Sequence, residues 1–169
     1  IDARVERLTG GALRAGSPYL VMEVADAGSL ADVLSPTWPQ IKRVLLEILD
    51  ALAHAHARQL VHLDLKPANV LLQRRAEGRL VLKLTDFGIA MKVKPGEVDE
   101  LRKTTIMGTP AYMSPEQVLS RWRDYGPWTD LYALGCMAWE LACGDVPFPE
   151  SNLVRLARAH LKEPPPAFT

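Results

Sequence analysis

Residues 61–72 read VHLDLKPANVLL, and they set Asp64, Lys66 and Asn69 into a run of Val and Leu. A polar group buried without a partner costs several kcal/mol, so each of the three must be paired or must serve a site. Pro67 cannot sit inside a helix, and it pushes Lys66 toward an extended backbone. Along an extended segment residues two apart share a face, which sends Asp64 and Lys66 the same way. Asn69 stands just before the apolar run Val70–Leu72 and can turn toward the same space.

The surroundings give this segment a place. Upstream, Ile41, Val44, Leu45, Ile48, Leu52 and Ala55 recur at steps of three and four, so an amphipathic helix is expected over 40–58. Downstream, Val70–Leu72 and Leu80–Leu84 read as two strands of a hairpin joined by the polar loop 73–79. A hairpin returns its second strand to where the first began, so Asp86 of Thr85-Asp86-Phe87-Gly88 is expected beside Asn69. Two carboxylates, an amide oxygen and an ammonium would then converge, a donor set suited to magnesium and phosphate.

The rest of the chain is mostly helical. Tyr19–Val24 reads as a buried strand leading into a turn, and Ser29 opens a short helix with capping-box spacing to Asp32. Ser114-Pro115-Glu116-Gln117 is a second helix start. A helix apolar nearly all round is expected to open at Thr129 or Asp130 and end at Gly144, placing it in the core. A last helix spans about 153–161.

Composition narrows the partners. The 169 residues suit one domain, with 48% hydrophobic and 24% charged residues. Twenty Lys and Arg balance twenty Asp and Glu, so no global field draws nucleic acid or an anionic membrane. No stretch is long and apolar enough to span a bilayer, and the first residues lack a signal peptide's apolar core. Cys136 and Cys143 lie on one predicted helix, which cannot close a bridge between them, and reduced thiols fit a cytoplasmic domain. His54 and His56 face different ways on a helix and make a poor metal pair.

HLDLKPANVL (62–71), DFG (86–88) and GTPAYMSPE (108–116), in that order, resemble the catalytic loop, magnesium loop and activation-segment end of eukaryotic-type (Hanks-type) serine/threonine protein kinases, bacterial members included. YLVMEVADAGSL (19–30) resembles the strand and hinge that hold adenine, and DLYALGCMAWELACGDVPF (130–148) the buried central helix of the large lobe. The fold implied is α+β and protein-kinase-like: residues 1–24 would end the small lobe, with Val5–Leu8 a remnant strand, and 25–169 would form a large lobe lacking its final helices. The activity implied is transfer of the γ-phosphate of ATP, with Mg2+, to serine or threonine hydroxyls of a protein. The alternative is a pseudokinase that binds nucleotide or protein as a scaffold.

The resemblance assigns roles residue by residue. Asp64 would orient the substrate hydroxyl and accept its proton, and Lys66 would neutralise the transferring phosphoryl group. Asn69 and Asp86 would ligate magnesium, Asp86 thereby also holding the nucleotide. Thr109 would bond Asp64 and Lys66, and together with Lys66 it favours serine/threonine over tyrosine. Met22 would guard the adenine pocket, the backbone of Glu23 and Ala25 would bond the base, and Leu71 would pack beneath it. Asp130 would bond catalytic-loop amides, although a plain helix cap is an equally good reading. His62 would pack near Phe87, and Gly88 would supply backbone freedom to the magnesium loop.

Three departures stand out. Leu63 occupies the place of an Arg that clamps a phosphate on the activation segment, where Thr105 is the matching acceptor and Thr104 its neighbour. Arg102 and Lys103 are then the nearest cations on the segment itself. The loop 73–79 is longer than usual and carries Arg74, Arg75 and Arg79. This sequence holds no glycine-rich loop, no strand lysine with a glutamate partner, and no late Arg to pair with Glu116.

Overall fold

The structure is a computed structural model that describes residues 22–33, 35–87, 91–92 and 108–167. Expectations for Val5–Leu8, for Tyr19–Val21, for Gly88 and for residues 102–105 fall outside the described residues.

The longest helix, α1, is Trp38–His56. It starts two residues before the expected position, because Thr37 and Gln40 form a capping box: Gln40 Oε1 accepts from Thr37 N at 2.7 Å and from Thr37 Oγ1 at 2.9 Å. Pro39 fits this first turn, where its missing N–H costs nothing. Ile41, Ile48, Leu52 and Ala55 are buried, as the periodicity requires. Strand β1 (Leu60–Val61) follows, and then a 3-10 turn at Pro67–Asn69. Strands β2 (Val70–Arg74) and β3 (Leu80–Leu84) pair antiparallel with Val70 opposite Leu84 and Leu71 opposite Lys83. Gln73 and Arg74 therefore belong to the strand, and the connecting loop is 75–79. Strand β4 (Met91–Lys92) pairs with β1.

Three helices follow. The short α2 (Pro115–Val118) has its capping box as expected, Ser114 N donating to Gln117 Oε1 at 3.1 Å. Helix α3 is Pro127–Cys143 and α4 is Leu153–Lys162, capped by Asn152 Oδ1. One core joins α1, α3 and the hairpin, while Leu156 and Ala159 of α4 pack on Phe148 apart from it. Leu30, Ile48, Leu52, Leu65, Val70, Ala133, Leu134 and Met137 form a single buried cluster, so the catalytic-loop segment rests on α1 and α3 together. That arrangement is the helical lobe expected, with one small hairpin.

Several expectations are corrected. Helix α3 opens at Pro127, not at Thr129 or Asp130: Pro starts the first turn, and Thr129 Oγ1 accepts the N–H of Gly126 from within it. The same helix is not wholly interior, since Trp128 is 60% and Leu131 47% exposed. Cys136 is buried and Cys143 exposed. Finally, residues 22–24 form no strand; Met22 and Val24 are exposed, and no ladder partner exists among the described residues. The expected helix after Ser29 is a 3-10 turn of three residues, Leu30–Asp32.

Candidate active site

Asp64 sits at the centre of the site. Its carboxylate meets Lys66 Nζ at 2.9 Å, accepts from Thr109 Oγ1 at 2.7 Å, and accepts from Asn69 Nδ2 at 3.2 Å. Lys66 Nζ in turn donates to Thr109 Oγ1 at 2.7 Å. The Thr109 hydroxyl thus receives from the cation and gives to the anion, which fixes its own proton toward Asp64. Lys66 is fully extended (φ −160°, ψ 162°), the conformation Pro67 demands of the residue before it.

Burial works to raise the pKa of Asp64, but bonding to Lys66, Thr109 and Asn69 outweighs it and holds the carboxyl below its ordinary 3.8. A depressed carboxyl pKa stabilises the fold above the ordinary value and loses that contribution as pH falls through the folded value. Asp64 is therefore a carboxylate throughout the neutral range, able to accept but not to donate. Carbon-13 NMR of the Asp64 carboxyl is expected to show a titration midpoint below pH 3.8. A midpoint near neutrality would contradict the geometry.

Asn69 shows which way its amide faces. Its Nδ2 donates to the Asp64 carbonyl at 2.8 Å as well as to the carboxylate, so its amide oxygen is turned away from Asp64. Thr85 N donates to Asn69 O at 3.0 Å, and the Val70–Leu84 register brings the far end of β3 alongside. Asp86 follows directly, exposed, in the left-handed region at φ 61°. An amide oxygen and an exposed carboxylate at adjoining strand ends are hard donors that fit magnesium, which takes few protein ligands and fills its shell with water and phosphate oxygens.

The loop is hung from behind. Asp130 Oδ2 accepts from His62 N and Oδ1 from Leu63 N, both at 2.9 Å, while His56 Nε2 lies 2.7 Å from Oδ2. Asp130 is 1% exposed, and its position in α3 makes it the loop's anchor, not a plain cap. His56 is engaged there and His54 is exposed. The His62 ring packs 4.5 Å from Phe87, and its Nε2–H donates to the Thr85 carbonyl at 2.8 Å.

Leu63 adopts φ 68°, a left-handed conformation that costs a branched side chain about 1–2 kcal/mol. Its side chain is buried against Val61 and Tyr125, with Trp122 beside them. Its carbonyl accepts from Gln117 Nε2 at 2.8 Å. Gly108 passes so close that a Cβ there would stand 2.9 Å from Leu63 O, and its φ of 107° independently excludes other residues. Tyr112 OH donates to Glu140 at 2.7 Å, tying the segment after Thr109 to α3. Glu116 accepts from Thr129 Oγ1 at 2.7 Å.

A separate cleft of about 180 Å³ is lined by Met22, Glu23, Ala25, Leu71, Gln73, Lys83, Leu84 and Thr85. It gathers the four residues expected around a base and adds Gln73 and Lys83, which the sequence reading passed over. The hairpin register could have found them, because Gln73 shares a strand face with Leu71 and Lys83 stands opposite Leu71.

Sequence comparison completes the picture. A family described as "Protein kinase domain" matches residues 5–164. The chain is 41% identical over 151 residues to Serine/threonine-protein kinase Pkn1 of Myxococcus xanthus, covering 88% of this chain and 21% of that protein. It is 35% identical over 161 residues to Serine/threonine-protein kinase pkn3 of the same organism, covering 91% and 29%. To Serine/threonine-protein kinase PknA of Mycobacterium tuberculosis it is 39% identical over 152 residues, covering 88% and 33%. The chain spans between a fifth and a third of the length of these relatives.

Proposed function

The chain belongs to the protein kinase domain family, and from that premise we propose that the full-length protein transfers the γ-phosphate of ATP to serine or threonine hydroxyls of a protein substrate. The family generally uses ATP and Mg2+. The observation that carries the reading is the Asp64 carboxylate held ionised between Lys66, Thr109 and Asn69. An ionised carboxylate held in this way suits a substrate hydroxyl well.

In this reading the hydroxyl binds Asp64 and gives it its proton as the new oxygen–phosphorus bond forms and the bond to the ADP oxygen breaks. Lys66 sits beside the incoming phosphoryl group and offsets its charge, while Thr109 keeps Lys66 and Asp64 in register. Asn69 and Asp86 would hold magnesium, which when bound would neutralise the phosphate oxygens. Met22, Leu71 and the backbone of Glu23 and Ala25 surround the base. Residues 1–24 are assigned to the end of a small lobe and 25–169 to a large lobe. No helix among the described residues is long and apolar enough to cross a membrane. The cytoplasm, where ATP is abundant, is the proposed setting.

The test is incubation of the full-length protein with Mg-ATP and a mixed protein substrate, followed by phosphoamino-acid analysis. Phosphoserine or phosphothreonine is expected. Phosphotyrosine alone, or ATP binding with no transfer to any protein, would refute the proposal.

A further inference from the structure

Residues 22–26 make no backbone–backbone hydrogen bond to the rest of the chain among the described residues; the first is Ala27 N to Leu72 O at 3.0 Å. What ties this segment to the hairpin is a pair of acidic side chains. Asp26 Oδ1 accepts from Arg74 N at 2.8 Å. Glu23 is gripped twice: Gln73 Nε2 donates to its Oε1 at 2.6 Å, and Lys83 Nζ lies 3.0 Å from its Oε2. Gln73's hydrogen bond, followed by Lys83's bond and charge, holds the Glu23 carboxyl below its ordinary pKa.

The Gln73 amide has only one workable orientation. A carboxylate accepts and never donates, so the amide must offer its NH2 to Glu23, which leaves its carbonyl oxygen buried without a partner. An unmade hydrogen bond of that kind is destabilising, so the chain bears a penalty to keep Gln73 on Glu23. Both grips come from the floor of the base cleft, where Gln73 and Lys83 flank Leu71.

We propose that Gln73 and Lys83 are positioning residues that clamp the Glu23 side chain to the hairpin and thereby set the height of the base-binding segment above Leu71. The inference rests on the nucleotide-site reading above. The base contacts backbone groups of residues 23 and 25, and among the described residues no backbone ladder fixes their place, so the side-chain clamp does. Because the side chains of Lys83 and Glu23 are 40% and 54% exposed, the ion pair contributes modestly and weakens with salt.

The experiment measures adenosine and ATP binding to the full-length protein by calorimetry, for wild type, Lys83→Met, Gln73→Leu and the exchange Glu23→Lys with Lys83→Glu. Each single variant is expected to weaken both ligands roughly three- to fivefold, the span that about 1 kcal/mol allows. The exchange is expected to recover part of the loss, and the wild-type affinity to fall with added salt. KM for ATP should rise while kcat at saturating ATP stays within about twofold, a split that general destabilisation would not produce. Wild-type binding with unaltered affinity in both single variants overturns the clamp alone. Failure of the wild type to bind adenosine or ATP overturns the nucleotide reading together with it.

Discussion

Asp64→Asn in the full-length protein is expected to lower phosphate transfer by about 10²–10⁴, the usual cost of removing a positioned base. Asn keeps an oxygen to accept from Thr109 but cannot take the substrate proton, so the fold stays and the chemistry goes. Asp86→Asn is expected to be at least as damaging, because it neutralises the exposed carboxylate proposed to ligate magnesium. Asn is the informative substitution there. Asp86 sits at φ 61°, a region that Asn tolerates and Ala does not, so the change tests charge and leaves the backbone alone. Asp86→Asn should melt with the wild type, and Asp64→Asn a little below it, because the ion pair with Lys66 is lost. Near wild-type labelling of substrate by Asp86→Asn would sink the assignment of this site.

Asp130→Ala is expected to damage the fold itself. Its carboxylate is the acceptor for two buried N–H groups, His62 and Leu63, and the partner of His56. Stranding two buried donors costs about 1–3 kcal/mol each, so a total near 3 kcal/mol or more is expected. For a domain of this size that is a fall in Tm of roughly 6–12 °C. Asp130→Asn keeps one acceptor oxygen and should fall between. Thermal melts of the three proteins, followed by circular dichroism, give the comparison. An Asp130→Ala protein melting within about 2 °C of wild type would show that the loop is held some other way.

Much of this architecture was legible because the chemistry and the periodicity agree. The α1 stripe of Ile41, Ile48, Leu52 and Ala55 faces the core as its spacing requires, and Pro67 extends Lys66 beside Asp64. What escaped had no local signal. The start of α3 carries no side-chain signal, because Gly126 caps without a side chain and Thr129 works one turn inside. That α3 leaves Trp128 and Leu131 exposed depends on what packs beside the helix, and hydropathy does not encode it. Residues 22–24 have strand composition, but a strand exists only with a partner. The left-handed backbone at Leu63 and Asp86 is imposed from a distance, and no leucine or aspartate announces it. The Glu23 clamp is built from exposed polar residues that follow no period.

The turn at Leu63 has a consequence for how this loop can change over generations. Its N–H is taken by Asp130, its carbonyl by Gln117, and Gly108 leaves that carbonyl room. The peptide groups on both sides of residue 63 are thus pinned, and the aim of Asp64 follows from them and not from the side chain between. The side chain answers only to the apolar niche of Val61, Tyr125 and Trp122. A lineage can therefore rewrite position 63, exchanging a cation for a leucine along with its niche, while the neighbouring aspartate keeps its heading. The scaffold separates what the loop is made of from where it points.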